Sequence, residues 1–543
     1  MSLLPSRAIA ASAALCCLTP AAFAADPAAS QVTPDYRSRI LTPAAPNTPR
    51  IHGPSVYGER PGRPFLYAIP ATGDRPMTFS ASGLPKGLSV DPATGRITGQ
   101  VDRPGTYLVT LKARGARGRD EKKLRIVIGD QIALTPPMGW NSWNSWAWTV
   151  DQDKVLRSAR ALVAAGLDRH GWSYVNIDDT WQGKPDPATK ALQANERFPN
   201  MKALTDQIHA MGLKAGIYST PWMASYAMYP GSSASNPEHT WVSPPQDKRF
   251  IEPNPHHQFG AYSFAANDAK QWADWGFDYL KYDWNPNDEA HTREMSEALK
   301  ASGRDFVFSL SNSAPFEHAD DWARLSNAWR TTGDIVDNYE SLCQNGFTQS
   351  KWAPYSGPGH WNDADMMILG WVGWGPALHP THLSPDEQYT HMSLWCLLSS
   401  PLLIGCDLEK LDPFTLSLLT NDEVLAIDQD PLGRAATQVS TAGGDVTLVG
   451  AAPYASHGET NSVTQPRLQV WAKPLEDGSQ AVGLFNLGDA TAEVTANFAD
   501  LKATGEQRVR DLWRQKDLGA FRTSFTTDVP SHGVVLVKIS RTK

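Results

Sequence analysis

The stretch Tyr174-Val175-Asn176-Ile177-Asp178-Asp179, the amphipathic run from Met201 to Met211, and then Lys214-Ala215-Gly216-Ile217-Tyr218-Ser219 decide the fold. A short apolar run, a segment with apolar residues at helical spacing and a second short run make one strand–helix–strand unit. The rhythm extends in both directions. Candidate strands fall at 138–143, 174–179, 214–219, 279–284, 306–311, 328–334, 360–367 and 401–407, with segments such as Asp153–Ala165 between most of them. Eight strands alternating with helices over roughly 300 residues fit a (β/α)8 TIM barrel, expected here at 130–430. A doubly wound sheet is the competing layout, but no Gly-rich phosphate loop follows any strand.

The flanks read differently. Residues 50–129 form short β-runs between turn residues, such as Thr106–Leu111 and Leu124–Ile128, and predict a β-sandwich. Within it, Gly83-Leu84-Pro85-Lys86-Gly87-Leu88 and Asp91–Gly99 resemble immunoglobulin-like modules of exported bacterial proteins. A spacer role suits such a module better than sugar binding. After Asp430-Pro431-Leu432-Gly433 the helical period stops, and 431–543 predicts a C-terminal antiparallel β-sandwich. Residues 25–49, rich in Pro, Ala and Thr, read as a linker. Residues 1–24 read as a signal peptide: Arg7, an apolar run from Ile9 to Leu18, and Ala22-Phe23-Ala24 as a cleavage site. The expected location is therefore exported, periplasmic or secreted.

Composition narrows the classes. The chain has 543 residues, too many for one ordinary core, with 41% hydrophobic and 20% charged residues, as in globular proteins. A formal charge of -8 leaves no basic stripe for nucleic acid. No stretch reaches the ~20 apolar residues of a membrane span. Removing the signal peptide leaves Cys343, Cys396 and Cys406, too few for a disulfide framework though enough for one bridge. No Cys/His spacing resembles a metal site. No cofactor is expected, and the oligomeric state stays open. The 20 Trp residues lean toward carbohydrate, because an indole face stacks on the C–H face of a sugar, though most buried Trp simply fills cores.

In a barrel of this kind, polar residues at the C-terminal strand ends are the informative ones. The second strand ends Asp178-Asp179, the fourth reads Tyr279-Leu280-Lys281-Tyr282-Asp283-Trp284, the sixth ends Arg330-Thr331-Thr332-Gly333-Asp334, and the seventh carries Asn362-Asp363-Ala364-Asp365. A ring of carboxylates binds either a divalent metal or a polyhydroxylated ligand. Metal sites usually recruit His as well, whereas His256 and His257 lie in a long loop and His360 stands alone, so the sugar reading is preferred. Lys281 and Asp283 are two apart on a strand and share a face, so the ammonium favours an ionised Asp283, as a nucleophile requires. Asp334 is the candidate acid, with burial expected to raise its pKa. A retaining pair sits ~5–5.5 Å apart and an inverting pair ~6.5–9.5 Å. A lone Asp at a strand end is as readily a turn former or helix cap, and Asp288 and Asp337 are assigned to that plain role.

Five segments occur in order over the barrel: Thr135–Trp143 (TPPMGWNSW), Ile177–Trp181 (IDDTW), Gly216-Ile217-Tyr218, Leu280–Asp283 (LKYD) and Gly359–Met366 (GHWNDADM). Together they resemble glycoside hydrolase family 27, the α-galactosidase or melibiase-like family. The resemblance implies a retaining exo-glycosidase acting on terminal α-linked galactose. It implies Asp283 as nucleophile and Asp334 as acid/base, with Arg330 on sugar hydroxyls and Asp178 and Asp179 accepting from the 4- and 6-hydroxyls. Lys281 is implied at the 3- and 4-hydroxyls, Trp143 and Tyr218 as pocket walls, and Asp365 near the pocket floor. For both aromatics plain core packing is the alternative. At strand five, Ser311 and Ala314 are small, as in relatives that accept a 2-acetamido group, which opens α-N-acetylgalactosamine as an alternative glycon. β-L-Arabinopyranose is another, disfavoured by the intact Asp178–Asp179 pair, and a non-catalytic carbohydrate-binding barrel a third. Trp284-Asn285-Pro286 follows Asp283, so the disulfide common in relatives at that point is absent. The long 221–260 segment (Trp222, Trp241, His256, His257) reads equally as an aglycone-selecting wall or an inert surface loop.

Overall fold

The computed structural model describes residues 34–242, 255–375, 377–452 and 459–542. The expected signal peptide, with Cys16 and Cys17, and the centre of the 221–260 segment lie outside the described residues.

Eight parallel strands follow one another in chain order: β1 (Met138–Asn141), β2 (Tyr174–Asn176), β3 (Lys214–Ser219), β4 (Tyr279–Asp283), β5 (Val307–Ser311), β6 (Ala328–Arg330), β7 (Trp361–Asp363) and β8 (Leu402–Ile404). From β1 to β7 each pairs with the next, and β8 pairs with β1. A parallel bridge from Met367 to Ile404 joins the end of the β7 segment to β8, so the barrel closes. Several strands stop earlier than expected because their terminal carboxylates satisfy local backbone donors in place of a ladder partner. Asp178 Oδ1 accepts from the Asp179 N–H at 2.8 Å, Asp179 Oδ1 from Thr180 at 2.6 Å, and Asp363 Oδ1 from Asp365 at 2.8 Å.

The outer helices follow from apolar stripes and polar caps. Gln152–Ala164 buries Val155, Leu156, Ala159 and Leu162, with Asp151 accepting from the Lys154 N–H. Each of the three larger side chains contributes about 1.5–3 kcal/mol on burial. Asp288 caps Glu289–Ala301, accepting from the His291 N–H at 2.9 Å. Asp337 does not fill the plain role expected of it. Asn338 is the N-cap of Tyr339–Gly346, and Asp337 turns instead toward another loop.

The N-terminal domain is an immunoglobulin-like sandwich. Its four-stranded sheet pairs Val56–Glu59, Gly118–Ile128, Gly105–Gly115 and Met77–Ser82, facing a three-stranded sheet of Pro64–Ala68, Arg96–Gln100 and Leu88–Val90. Phe65, Phe79, Val109, Leu111, Leu124 and Ile126 fill its core. This domain sits on the N-terminal ends of the barrel strands, where Arg60 Nη1 meets Asp305 Oδ1 at 2.7 Å and Lys214 Nζ bonds Tyr57 Oη. The segment read as linker is anchored from residue 34 on: Tyr36 packs edge-on against Phe414, and the Leu41 N–H donates to Tyr389 Oη at 2.9 Å. Apolar residues within it, with barrel side chains to cover, make it a strap rather than a free connector.

The C-terminal domain has a six-stranded antiparallel sheet and a second sheet of Ala492–Asn497 with Ser524–Val529. Val482, Val494, Phe525 and Val537 pack between them. Its Trp471, Phe485 and Trp513 join the barrel's own core, across Pro385–Leu398, a helix buried on nearly every side. There Lys473 is fully buried and donates to Ser399 Oγ and the Ile427 carbonyl, both at 2.5 Å. Cys343, Cys396 and Cys406 are free and buried, so the one bridge left open by counting does not form among them. Among the described residues no helix is long and apolar enough to cross a membrane.

Candidate active site

The C-terminal ends of β1, β2 and β4 to β7 bring the quoted carboxylates together. Asp178, just past β2, is the most constrained: Oδ2 accepts from Lys281 Nζ at 2.9 Å and from Asn141 Nδ2 at 2.8 Å. Ser142 Oγ accepts from its backbone N–H at 2.9 Å. Asp179 is held by Gln182 Nε2 at 3.0 Å on one oxygen and by the Ala227 N–H at 3.0 Å on the other. Burial pushes the Asp179 carboxyl up to about 6, against the hydrogen bonds from Ala227, Ser225 and Gln182. Two of those three donors belong to the 221–260 segment. That segment therefore reaches the site through Ser225 and Ala227, while Trp222 stacks on His257 and Tyr226 meets both edge-on.

Asp283 closes β4, opposite Ser311 of β5 in the ladder. It is only 7% exposed, and its Oδ1 is buried with no hydrogen-bond partner. Burial pushes this carboxyl up to about 7; Lys281 and Arg330 pull it back, and the charges of Asp334 and Asp178 push it further. Lys281 favours the ionised carboxylate as expected, but removing that carboxylate from water outweighs one neighbouring ammonium.

Arg330, at the end of β6, is the hub. Its Nη2 pairs with Asp334 Oδ1 at 2.7 Å and Asp365 Oδ2 at 3.3 Å, and its Nη1 donates to Ser311 Oγ at 3.1 Å. Burial opposes its charge, but Asp365, Asp334 and Asp283 outweigh that and raise its pKa. Asp365 also accepts from the Ile335 N–H at 2.8 Å, which fixes the loop that carries Asp334. Asp334 itself is 31% exposed, not buried as expected, and sits at the mouth while Asp283 lies deep.

The remaining expected residues divide. Tyr218 is buried, its ring under Lys281 Nζ at 5.4 Å and its hydroxyl without a partner. Trp143, half-buried, starts the short helix after β1, its N–H donating to Asn141 Oδ1 at 2.8 Å. Ser311 joins the site, whereas Ala314 is buried in the apolar core and its N–H bonds the Arg330 carbonyl at 2.8 Å. Two residues were passed over by sequence reasoning. Asn141 positions Asp178, and Asp363, pushed up to about 7 by burial and by Asp365, supports the Asp365 backbone. Both stand in the quoted motifs at strand ends, which was the available signal. Asn141, Lys281, Ser311, Arg330, Asp363 and Asp365 line one small cavity inside the barrel.

A closed (β/α)8 barrel whose C-terminal mouth gathers carboxylates, a lysine and an arginine, with orphaned polar atoms aimed inward, is the framework of a glycoside hydrolase. Comparison with known proteins gives its family. The family model described as Alpha galactosidase A matches residues 135–239 and 256–430, and its C-terminal beta sandwich domain matches 465–539; an immunoglobulin-like domain model matches 48–129. An α-galactosidase from Oryza sativa subsp. japonica is 35% identical over 76% of this chain and 86% of its own length. A candidate α-galactosidase structure from Bacteroides fragilis is 30% identical, with a TM-score of 0.78 over 92% of this chain and 98% of its own. A family 27 β-L-arabinopyranosidase from Geobacillus stearothermophilus is 30% identical, with a TM-score of 0.62 over 75% of this chain and 97% of its own. The chain belongs to the α-galactosidase family, glycoside hydrolase family 27.

Proposed function

We propose that the enzyme removes terminal α-linked D-galactose from oligosaccharides or polysaccharide side chains by double displacement. Asp283 as carboxylate attacks the anomeric carbon while the bond to the leaving oxygen breaks and Asp334 gives that oxygen its proton. In the second step Asp334 takes a proton from water, the water oxygen attacks the same carbon, and Asp283 leaves. The observation that carries the reading is the depth difference: a buried Asp283 and a mouth-side Asp334, joined through Arg330. A leaving group departing toward solvent passes the mouth, where its acid belongs. The Arg330 contact fits the carboxylate form of Asp334, which the second step uses as base. Asp178 and Asp179 are assigned to the axial 4-hydroxyl and the 6-hydroxyl, with Lys281 sharing the 3- and 4-hydroxyls. Trp143 and Tyr218 are assigned to the walls. Losing one buried hydroxyl partner costs about 1–3 kcal/mol, enough to reject an epimer. Export through the N-terminal targeting segment belongs to the same proposal.

The test is a panel of aryl α-galactoside, α-N-acetylgalactosaminide and β-L-arabinopyranoside, with the product anomer followed by NMR. The α-galactoside is expected to turn over fastest and release the α-anomer first. Initial β-anomer overturns the mechanism, and preference for another glycon overturns the specificity. Ser311, small and opposite Asp283, is the observation that makes the 2-acetamido substrate worth including. A second prediction concerns Asp334→Ala. It is expected to slow natural galactosides far more than activated aryl ones, because only poor leaving groups need the proton. Equal losses on both, measured as kcat/KM, overturn the assignment.

A further inference from the structure

Asp337 lies three residues beyond Asp334, in the loop that Asp365 fixes. Facing it is a hairpin after β7, Trp371–Val372 paired antiparallel with His379–Pro380. The hairpin is tied to the segment after β1, since the N–H groups of Gly373 and Trp374 both donate to the Asn144 carbonyl, at 2.9 and 3.1 Å. His379 and His382 point their Nδ1 atoms at the same oxygen of Asp337, at 3.8 and 3.0 Å, with the two imidazoles stacked at 4.6 Å. The His382 backbone N–H donates to that oxygen too, at 2.9 Å. The ligand atoms of these three side chains all lie within 4.8 Å of one another, and among the described residues this is the one such group of three.

The plain reading is an aspartate–histidine contact that holds a loop. One contact needs one imidazole. Two imidazoles stacked side by side and aimed at one carboxylate repel each other when both are protonated, yet suit a shared cation. Bonds of about 2.0–2.1 Å from imidazole and carboxylate to a tetrahedral ion put ligand atoms about 3.3 Å apart, and the observed 3.0 and 3.8 Å bracket that spacing. His379 Nδ1 donates to the Pro380 carbonyl at 3.0 Å, a bond that binding of the ion replaces. His382 is 72% exposed, which leaves an entry path and an open position for water.

We propose that Asp337, His379 and His382 form a site for a borderline divalent ion of the Zn2+ class. The bound ion staples the Asp334-bearing loop to the β7 hairpin. The ligand set, nitrogen-rich and only singly charged, selects against Ca2+ and Mg2+, which take oxygen donors. None of the three ligands is among the residues assigned to the sugar. Full-length protein, stripped with EDTA and dialysed, is titrated calorimetrically with ZnCl2 and with CaCl2, beside His379→Ala/His382→Ala and the single variant His382→Gln, whose exposed position tolerates the change. The wild type is expected to take one saturable zinc equivalent with a dissociation constant in roughly the micromolar range, weakened about a hundredfold in the double variant and about tenfold in His382→Gln. Calcium is expected to give no saturable heat. Absent zinc binding, equal affinity in the variants, or calcium binding as tight as zinc each overturns the site. Backbone hydrogen exchange over 377–384 is expected to slow at saturating zinc, and unchanged exchange overturns the staple.

Discussion

Asp283 carries a conflict that stability measurements can read. Its folded-state pKa of about 7 stands above the roughly 3.9 of an unfolded aspartate, so the folded protein holds this proton more tightly. A raised pKa means that the contribution to stability is whole below pH ~3.9 and is lost as pH climbs through about 7. Asp283→Asn keeps the shape of the neutral form and removes the ionisation. It is expected to abolish turnover yet raise stability by about 2–4 kcal/mol at pH 7, a gain that shrinks toward pH 4. Denaturant midpoints of both proteins across that range check it, and a constant difference contradicts it. At this scale the sequence was readable where a motif ended a strand: Asp178, Asp179, Asp283, Asp334 and Asp365 all gather at the C-terminal end of the barrel. Protonation was not readable, because burial depth is a property of the closed barrel. The Asp337–His379–His382 cluster was invisible for a related reason: His379 and His382 stand three apart, but Asp337 comes from a separate loop that only the closed barrel brings to them.

Single elements tolerate little at the barrel wall. Gly216 of β3 lies beside Asn176 of β2, and a Cβ built there sits 2.0 Å from Asn176 Oδ1. Asn176 is itself buried, so it has nowhere to withdraw. Gly216→Ala is expected to destabilise by about 1–3 kcal/mol and to lower kcat/KM by displacing β2 under Asp178, measured by melting temperature and steady-state kinetics. Strand positions were legible because apolar runs at the right spacing admit few other readings. Strand ends were less so, since Asp178 and Asp363 turn their carboxylates onto local N–H groups that a longer strand would have paired. The 221–260 segment was the least legible, because nothing in its Trp and Pro content announces that the Ala227 backbone reaches Asp179.

Across the whole molecule, three domains share continuous contact, and the N-terminal seam is electrostatic. Asp305 accepts from the Arg60 guanidinium at 2.7 Å and from its backbone N–H at 2.8 Å. Burial pushes the neighbouring Glu59 carboxyl up; Lys214 opposes that and Asp305 adds to it. Asp305→Ala strands Arg60 and is expected to lower stability by about 1–3 kcal/mol. Sandwich and barrel are still expected to unfold in one transition, and a separate early transition by calorimetry speaks against a rigid seam. The seam has a geometric consequence. Its barrel residues, among them Tyr174, Lys214, Asp278 and Val307, are the first residues of their strands or stand just before them. The carboxylate-lined mouth is at the opposite pole, about 13–17 Å away along the strands. With residues 34–42 roped to the barrel on one side and β1 beginning on the other, the sandwich has no free end on which to swing. A module held at both ends in this way braces the strand starts, on the face of the barrel away from the carboxylates.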